Sequence, residues 1–146
     1  MLGRKSYSRD EIDQARSAID GQLATYRDLV AALGNGDAGA DARAAREAFE
    51  ARFLAHLTLA LDRYFVHRIR PVTGKDGNPL NEVELIADGL MTHGGVLPGT
   101  KVVKYVPAEA VLGLAPGDRI RLTLEDFTRL STAFFAELER RFLEPA

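Results

Sequence analysis

The run ADARAAREAFEARFLAHLTLALDRYFVHRIR, Ala40 to Arg70, contains neither proline nor glycine and is closed by Pro71. As a helix rising 1.5 Å per residue it spans roughly 45 Å, longer than an average globular helix, so the rest of the chain has to fold around it. Phe53, Leu54, Leu57, Leu59, Leu61, Tyr64, Phe65, Val66 and Ile69 cover most of its circumference. A helix that is apolar on several sides belongs at the centre of a bundle. The stripe left over carries Arg52, His56, Arg63, His67 and Arg70.

The flanking segments supply partners for such a helix. Ser8 followed by Glu11 has the form of a capping box, and Ile12, Ile19, Leu23, Tyr26, Val30 and Leu33 then recur as a narrow apolar seam. Gly34, Asn35 and Gly36 end that first helix, and the short loop after them predicts an antiparallel hairpin with the central one. Asn78 and Pro79 are an N-cap and first-turn pair for a third helix with Leu80, Val83, Ile86, Ala87, Leu90 and Met91 on one face, stopping near His93. Thr123 with Asp126 opens a fourth, bearing Phe127, Leu130, Phe134, Phe135, Leu138 and Phe142. Between these two helices KVVKYV, Lys101 to Val106, is β-branched and aromatic, while Arg119 to Thr123 alternates apolar with charged residues. The expected fold is therefore mainly α: four principal helices in a bundle, with a small two-stranded antiparallel ribbon between the third and fourth. The whole chain, 1–146, reads as a single domain with residues 1–7 as a flexible N-terminus.

Composition removes several function classes. The 46% hydrophobic and 27% charged fractions are those of an ordinary globular domain, and a net charge of −2 gives no electrostatic footprint for nucleic acid. Without cysteine there is no disulfide, thiolate metal site or cysteine nucleophile. The N-terminus MLGRKSYSRDE lacks the apolar core of a signal peptide, and no run is long enough for a membrane span, so a cytoplasmic protein is expected. Lys5, Lys75, Lys101 and Lys104 are the only lysines among many arginines, a usage that suggests a GC-rich bacterial genome.

Chemistry is concentrated in one place. At 100° per residue His56, Arg63, His67 and Arg70 fall within about 60° of one another on a straight helix, although His56 and His67 stand roughly 16 Å apart and cannot share a metal. Arg63, His67 and Arg70 lie on successive turns, able to converge on a phosphate or carboxylate. The loop after them adds Lys75, Asp76 and Asn78, polar groups on a rigid scaffold, which makes these six residues the candidate ligand site. The alternatives are that the stripe is a solvated face or a subunit interface and that the loop is a turn with an N-cap. The loop has neither EF-hand spacing nor a phosphate-loop ending, no His-Glu-x-x-His occurs, and no metal or cofactor is expected. His93 in MTHGG reads as a helix C-cap. Ser131 with Thr132 and Thr92 with His93 are the nucleophile candidates, neither in a nucleophile elbow, and catalytic residues stay unassigned.

The segments FVHRIRPVTGKDGNPLNEVELIADGLMTHGGVL, Phe65 to Leu97, and PGDRIRLTLEDFTRLSTAFFAELERRF, Pro116 to Phe142, resemble a family of small uncharacterised actinobacterial proteins. The resemblance covers most of the chain from about Ala48 and implies a bacterial, cytoplasmic, stand-alone domain, without bringing an activity or a site residue. Phe134 and Phe135 are about 100° apart and cannot both fill a narrow seam, so one of them is expected to face a second subunit. The expected function is a non-enzymatic protein-interaction domain acting as a homodimer, with room for another protein partner but none for nucleic acid or membrane. The rival is an anion-binding protein or enzyme built on Arg63, His67, Arg70 and the 73–82 loop.

Overall fold

Residues 3–34 and 39–145 are described by a computed structural model. They form α1 (Arg9–Leu33), α2 (Ala40–Tyr64), the single turn α3 (Arg70–Thr73), α4 (Pro79–Thr92) and α5 (Leu124–Phe142), with a 3-10 turn at Pro107–Glu109. The mainly helical class and four substantial helices are as the sequence predicts. Each starts for a local reason where one is available. The Ser8 hydroxyl accepts from the Glu11 N–H at 3.2 Å while the Glu11 carboxylate accepts from the Ser8 N–H at 2.8 Å. Thr123 and Asp126 close the same reciprocal pair ahead of α5. Asn78 Oδ1 takes the N–H groups of Leu80 and Asn81, and Pro79 opens α4.

Helix α4 is packed against both α5 and α2, α2 also meets α5, and α1 lies beside them. Leu54, Leu61, Leu80, Ile86, Phe127, Phe134, Leu138 and Phe142 share one core and are almost wholly shielded from water. Helices α1 and α2 form the expected hairpin, with Tyr26 set against Phe53 at 5.2 Å between ring centroids and its hydroxyl donating to Glu50. Asn35 and Gly36, expected to help end α1, lie outside the described residues. No residue of α2 before Leu54 is buried, so its first half extends beyond the core with α1.

Three expectations need correction. First, the central helix stops at Tyr64 rather than Arg70. The chain turns at 65–69, and Pro71 falls at the start of α3, where a missing N–H costs nothing. The turn is held by the other end of the chain: the Arg4 N–H donates to the His67 carbonyl and the Ile69 N–H to the Arg4 carbonyl. Of residues 1–7, Met1 and Leu2 lie outside the described residues. Residues 3–7 are a strap whose Tyr7 is 4% exposed and packed on Phe65 and Phe142.

Second, no two-stranded ribbon forms among the described residues; only isolated bridges occur. In KVVKYV the N–H groups of Val102 and Val103 turn back to the Thr100 hydroxyl and that of Lys104 goes to the Lys75 carbonyl. Arg119 and Ile120 instead lie against 95–97, through Ile120 N–H to Gly95 and Leu97 N–H to Asp118. The β-propensity is spent on an irregular lip.

Third, Phe134 and Phe135 are both buried within this one chain. Phe65, brought inward by the turn after α2, stands 5.9 Å from the first ring and 6.1 Å from the second, and the Arg16 guanidinium lies over Phe135. Neither ring is left over for a second subunit.

Candidate functional site

The end of α2, the middle of α4 and the irregular segment 99–103 enclose an open groove of about 830 Å³. Its walls are mostly apolar: Leu59 and Ala60 from α2, Leu85, Ala87 and Met91 from α4, Val102 and Val103 from the lip. Met91, Val102 and Val66 are 68%, 59% and 41% exposed, an apolar margin that the fold itself leaves wet. The volume lies in the range usual for small-molecule sites.

One end of the groove is polar. A recess of about 170 Å³ shares Asp62, Val66, Arg70 and Glu84 with it and adds Arg68 and Thr73. Arg68 is nearly buried, donating to the Phe65 carbonyl at 2.9 Å, to Asp62 Oδ1 at 2.9 Å and to the Leu80 carbonyl at 3.0 Å. Arg70 donates to Asn81 Oδ1 at 2.6 Å and to Glu84 Oε1 at 2.9 Å. Two guanidinium groups and two carboxylates thus neutralise one another around the recess.

The six sequence candidates are distributed unequally about this place. Arg63, in the last turn of α2, lines the groove, and its guanidinium has no hydrogen bond or ion pair among the described residues. Arg70 reaches both groove and recess, but its charge is engaged by Glu84. His67 is exposed on the turn, off the helix on which it would have stood in line with Arg63, and its carbonyl receives the Arg4 N–H. The loop residues have local work. Asp76 receives the Asn78 side-chain amide at 3.0 Å, the main reason its carboxyl is held below the ordinary range, and it faces Arg141 at 3.3 Å. Asn78 caps α4, and the Lys75 carbonyl receives the Lys104 N–H while its side chain is exposed. His93 caps α4 as expected, with Nε2 3.2 Å from Asp88.

Sequence reasoning missed Arg68 and the apolar walls altogether, whereas Thr73 and Glu84 belong to the polar loop and its flank that the sequence places at the end of the basic stripe. One signal was present: Leu59 lies off the face shared by Leu54, Leu57 and Leu61, so α2 carries an apolar side beyond what one core contact needs.

Among the described residues no group of three His, Cys, Asp or Glu side chains comes together as a metal set, and no helix is long and apolar enough to cross a membrane. Ser131 lies in a shallow recess with Thr132, Asp20 and Glu139, where no histidine serves as its base. Comparison with protein-family models, with curated proteins and with solved structures returned no match.

Proposed function

We propose that this chain is a non-enzymatic binding domain that takes a small amphiphilic molecule in the groove between α2 and α4. The observation that carries the reading is the groove's division into a long apolar trough and one charged end. Binding sites for small molecules are commonly built this way, with apolar walls for affinity and a few convergent polar groups for orientation. Catalysis fits less well: Asp62 is bound to Arg68, Glu84 to Arg70, and Asp88 to Thr92 and His93, so each carboxylate lining the trough is engaged, and the Thr100 hydroxyl accepts the Val102 and Val103 N–H groups. The test uses the uncharged apolar dye N-phenyl-1-naphthylamine. Its fluorescence should rise on mixing with the protein, and Ala60→Phe, which fills the trough, should abolish the rise while the thermal unfolding curve stays in place. No rise, or an equal rise with the filled variant, rejects the reading.

A second reading is favoured by a separate surface. Leu33, Phe49 and Leu29 are 64%, 52% and 49% exposed on the α1–α2 hairpin, beyond the core. A second copy of the hairpin laid against them would give the homodimer expected from the sequence. Sedimentation of the native chain beside Leu33→Lys tests it: a dimer that the variant converts to monomer supports self-association, and a monomeric native chain ends it.

A further inference from the structure

We infer that the recess beside α3 is the head-group subsite of the groove and that it takes an uncharged amide rather than a carboxylate or phosphate. The inference rests on the groove reading above and adds the chemistry of its polar end.

Charge decides the first point. Arg68 and Arg70 are each already matched by a carboxylate, Asp62 at 2.9 Å and Glu84 at 2.9 Å, so the recess has no net positive charge to offer an anion. A carboxylate or phosphate entering it would give up its water without an opposite charge in return. A cation meets the same objection, since both acids are engaged.

Hydrogen bonding decides the second. Arg68 Nε and Thr73 Oγ1 are buried without a partner among the described residues, and both residues line the recess. Thr73 as a whole is 1% exposed, so bulk water does not serve it. Guanidinium Nε–H is only a donor and the threonine hydroxyl is donor and acceptor, so the missing partner is an acceptor oxygen. Asp62 and Glu84 line the same recess; their Oδ1 and Oε1 carry the ion pairs, leaving each carboxylate acceptor capacity for an N–H. An uncharged primary amide meets both needs at once, its carbonyl oxygen accepting and its two N–H groups donating. Its apolar remainder would leave through the shared wall of Asp62, Val66, Arg70 and Glu84 into the trough.

The probes are octanamide and octanoate, equal in chain and different in head, titrated into the 15N-labelled full-length protein and followed by NMR. Octanamide should shift the amides of Val66, Thr73 and Glu84 and bind several-fold more tightly than octanoate. Thr73→Val keeps the side-chain shape and deletes only the unpartnered hydroxyl; it should weaken octanamide about fivefold, the effect of one net hydrogen bond, and leave the naphthylamine dye unaffected. A thermal melt of Thr73→Val accompanies the titration, so that a folding defect is not read as lost binding. If octanoate binds as tightly as octanamide, or Thr73→Val leaves both unchanged, the head-group assignment is overturned while dye binding keeps the groove. If neither probe nor dye binds, both readings fall together.

Discussion

Glu82 sits on the core side of α4 at 1% exposure, and its two carboxylate oxygens accept the backbone N–H groups of Val111 at 2.8 Å and Leu112 at 2.9 Å. Through these bonds α4 holds the 107–114 stretch, to which Tyr105 behind the groove lip is tied by its hydroxyl on the Leu114 carbonyl. Charge-assisted bonds of this kind are worth about 1.5–3 kcal/mol each, so two give about 3–6 kcal/mol in gross. Burial works against them: it is the largest influence on Glu82 and pushes its carboxyl above the ordinary value despite the two N–H donors. Glu82→Ala should therefore lose a net of about 2 kcal/mol, and Glu82→Gln, which keeps one acceptor oxygen and turns an NH2 toward the second donor, about 1 kcal/mol. Urea unfolding followed by circular dichroism at pH 7 measures both. The pH dependence supplies a second check. Because the folded pKa is raised above 4.5, the folded state holds this proton more tightly, and ionisation removes stability as pH rises from 4.5 through the folded pKa. The advantage of the parent over Glu82→Gln should accordingly be larger at pH 4.5 than at pH 7. A Glu82→Ala loss under about 0.5 kcal/mol, the range of an ordinary surface substitution, would refute the tether.

Gly89→Ala in mid-α4 should destabilise the fold by about 1–3 kcal/mol, although alanine is the better helix former, because a Cβ there would stand 2.6 Å from the Val96 carbonyl and 2.7 Å from Ile120 Cδ1. A thermal melt at or above the parent's would show that the 95–97 segment yields. Glu11 is held at about 2 by the Arg4 guanidinium first and the Ser8 N–H second. Its stabilisation is therefore present above 4.5 and lost as pH falls toward 2; the pair is exposed, so the amount is at most about 1 kcal/mol. The stability gap between the parent and Glu11→Gln should close between pH 5 and pH 2, and a gap that persists at pH 2 contradicts the linkage.

What could be read from the sequence was what local chemistry decides. Ser8 with Glu11, Asn78 with Pro79, and Thr123 with Asp126 each set a helix start from residues at most three apart, and all three stand where expected. What could not be read was decided at a distance. The lip 101–106 has good strand residues, but its N–H groups find the Thr100 hydroxyl and the Lys75 carbonyl before they find a strand. The recess needed Arg68 beside Glu84 and the groove needed Leu59 beside Met91, neighbours that only the packing of α2 on α4 creates.

The end of α2 shows how one non-local contact both defeats the pattern and makes the site. On an uninterrupted helix Asp62 and Arg68 would lie about 120° and about 9 Å apart, unable to meet. In the strap after Gly3 the Arg4 N–H donates to the His67 carbonyl and the Arg4 carbonyl accepts the Ile69 N–H, and the chain unwinds at 65–69. Gly3 is suited to that approach, since a Cβ there would collide with Ile69 Cγ2 and crowd the His67 carbonyl. Once the helix is broken, the Arg68 guanidinium swings back to Asp62 and the Leu80 carbonyl, over the face of Phe134. Arg70, displaced into α3, turns to Asn81 and Glu84. The aligned basic stripe is thereby exchanged for a neutral, partly unsatisfied cluster at the end of an apolar trough, which is why an uncharged head group suits this chain better than the anion its linear pattern suggests.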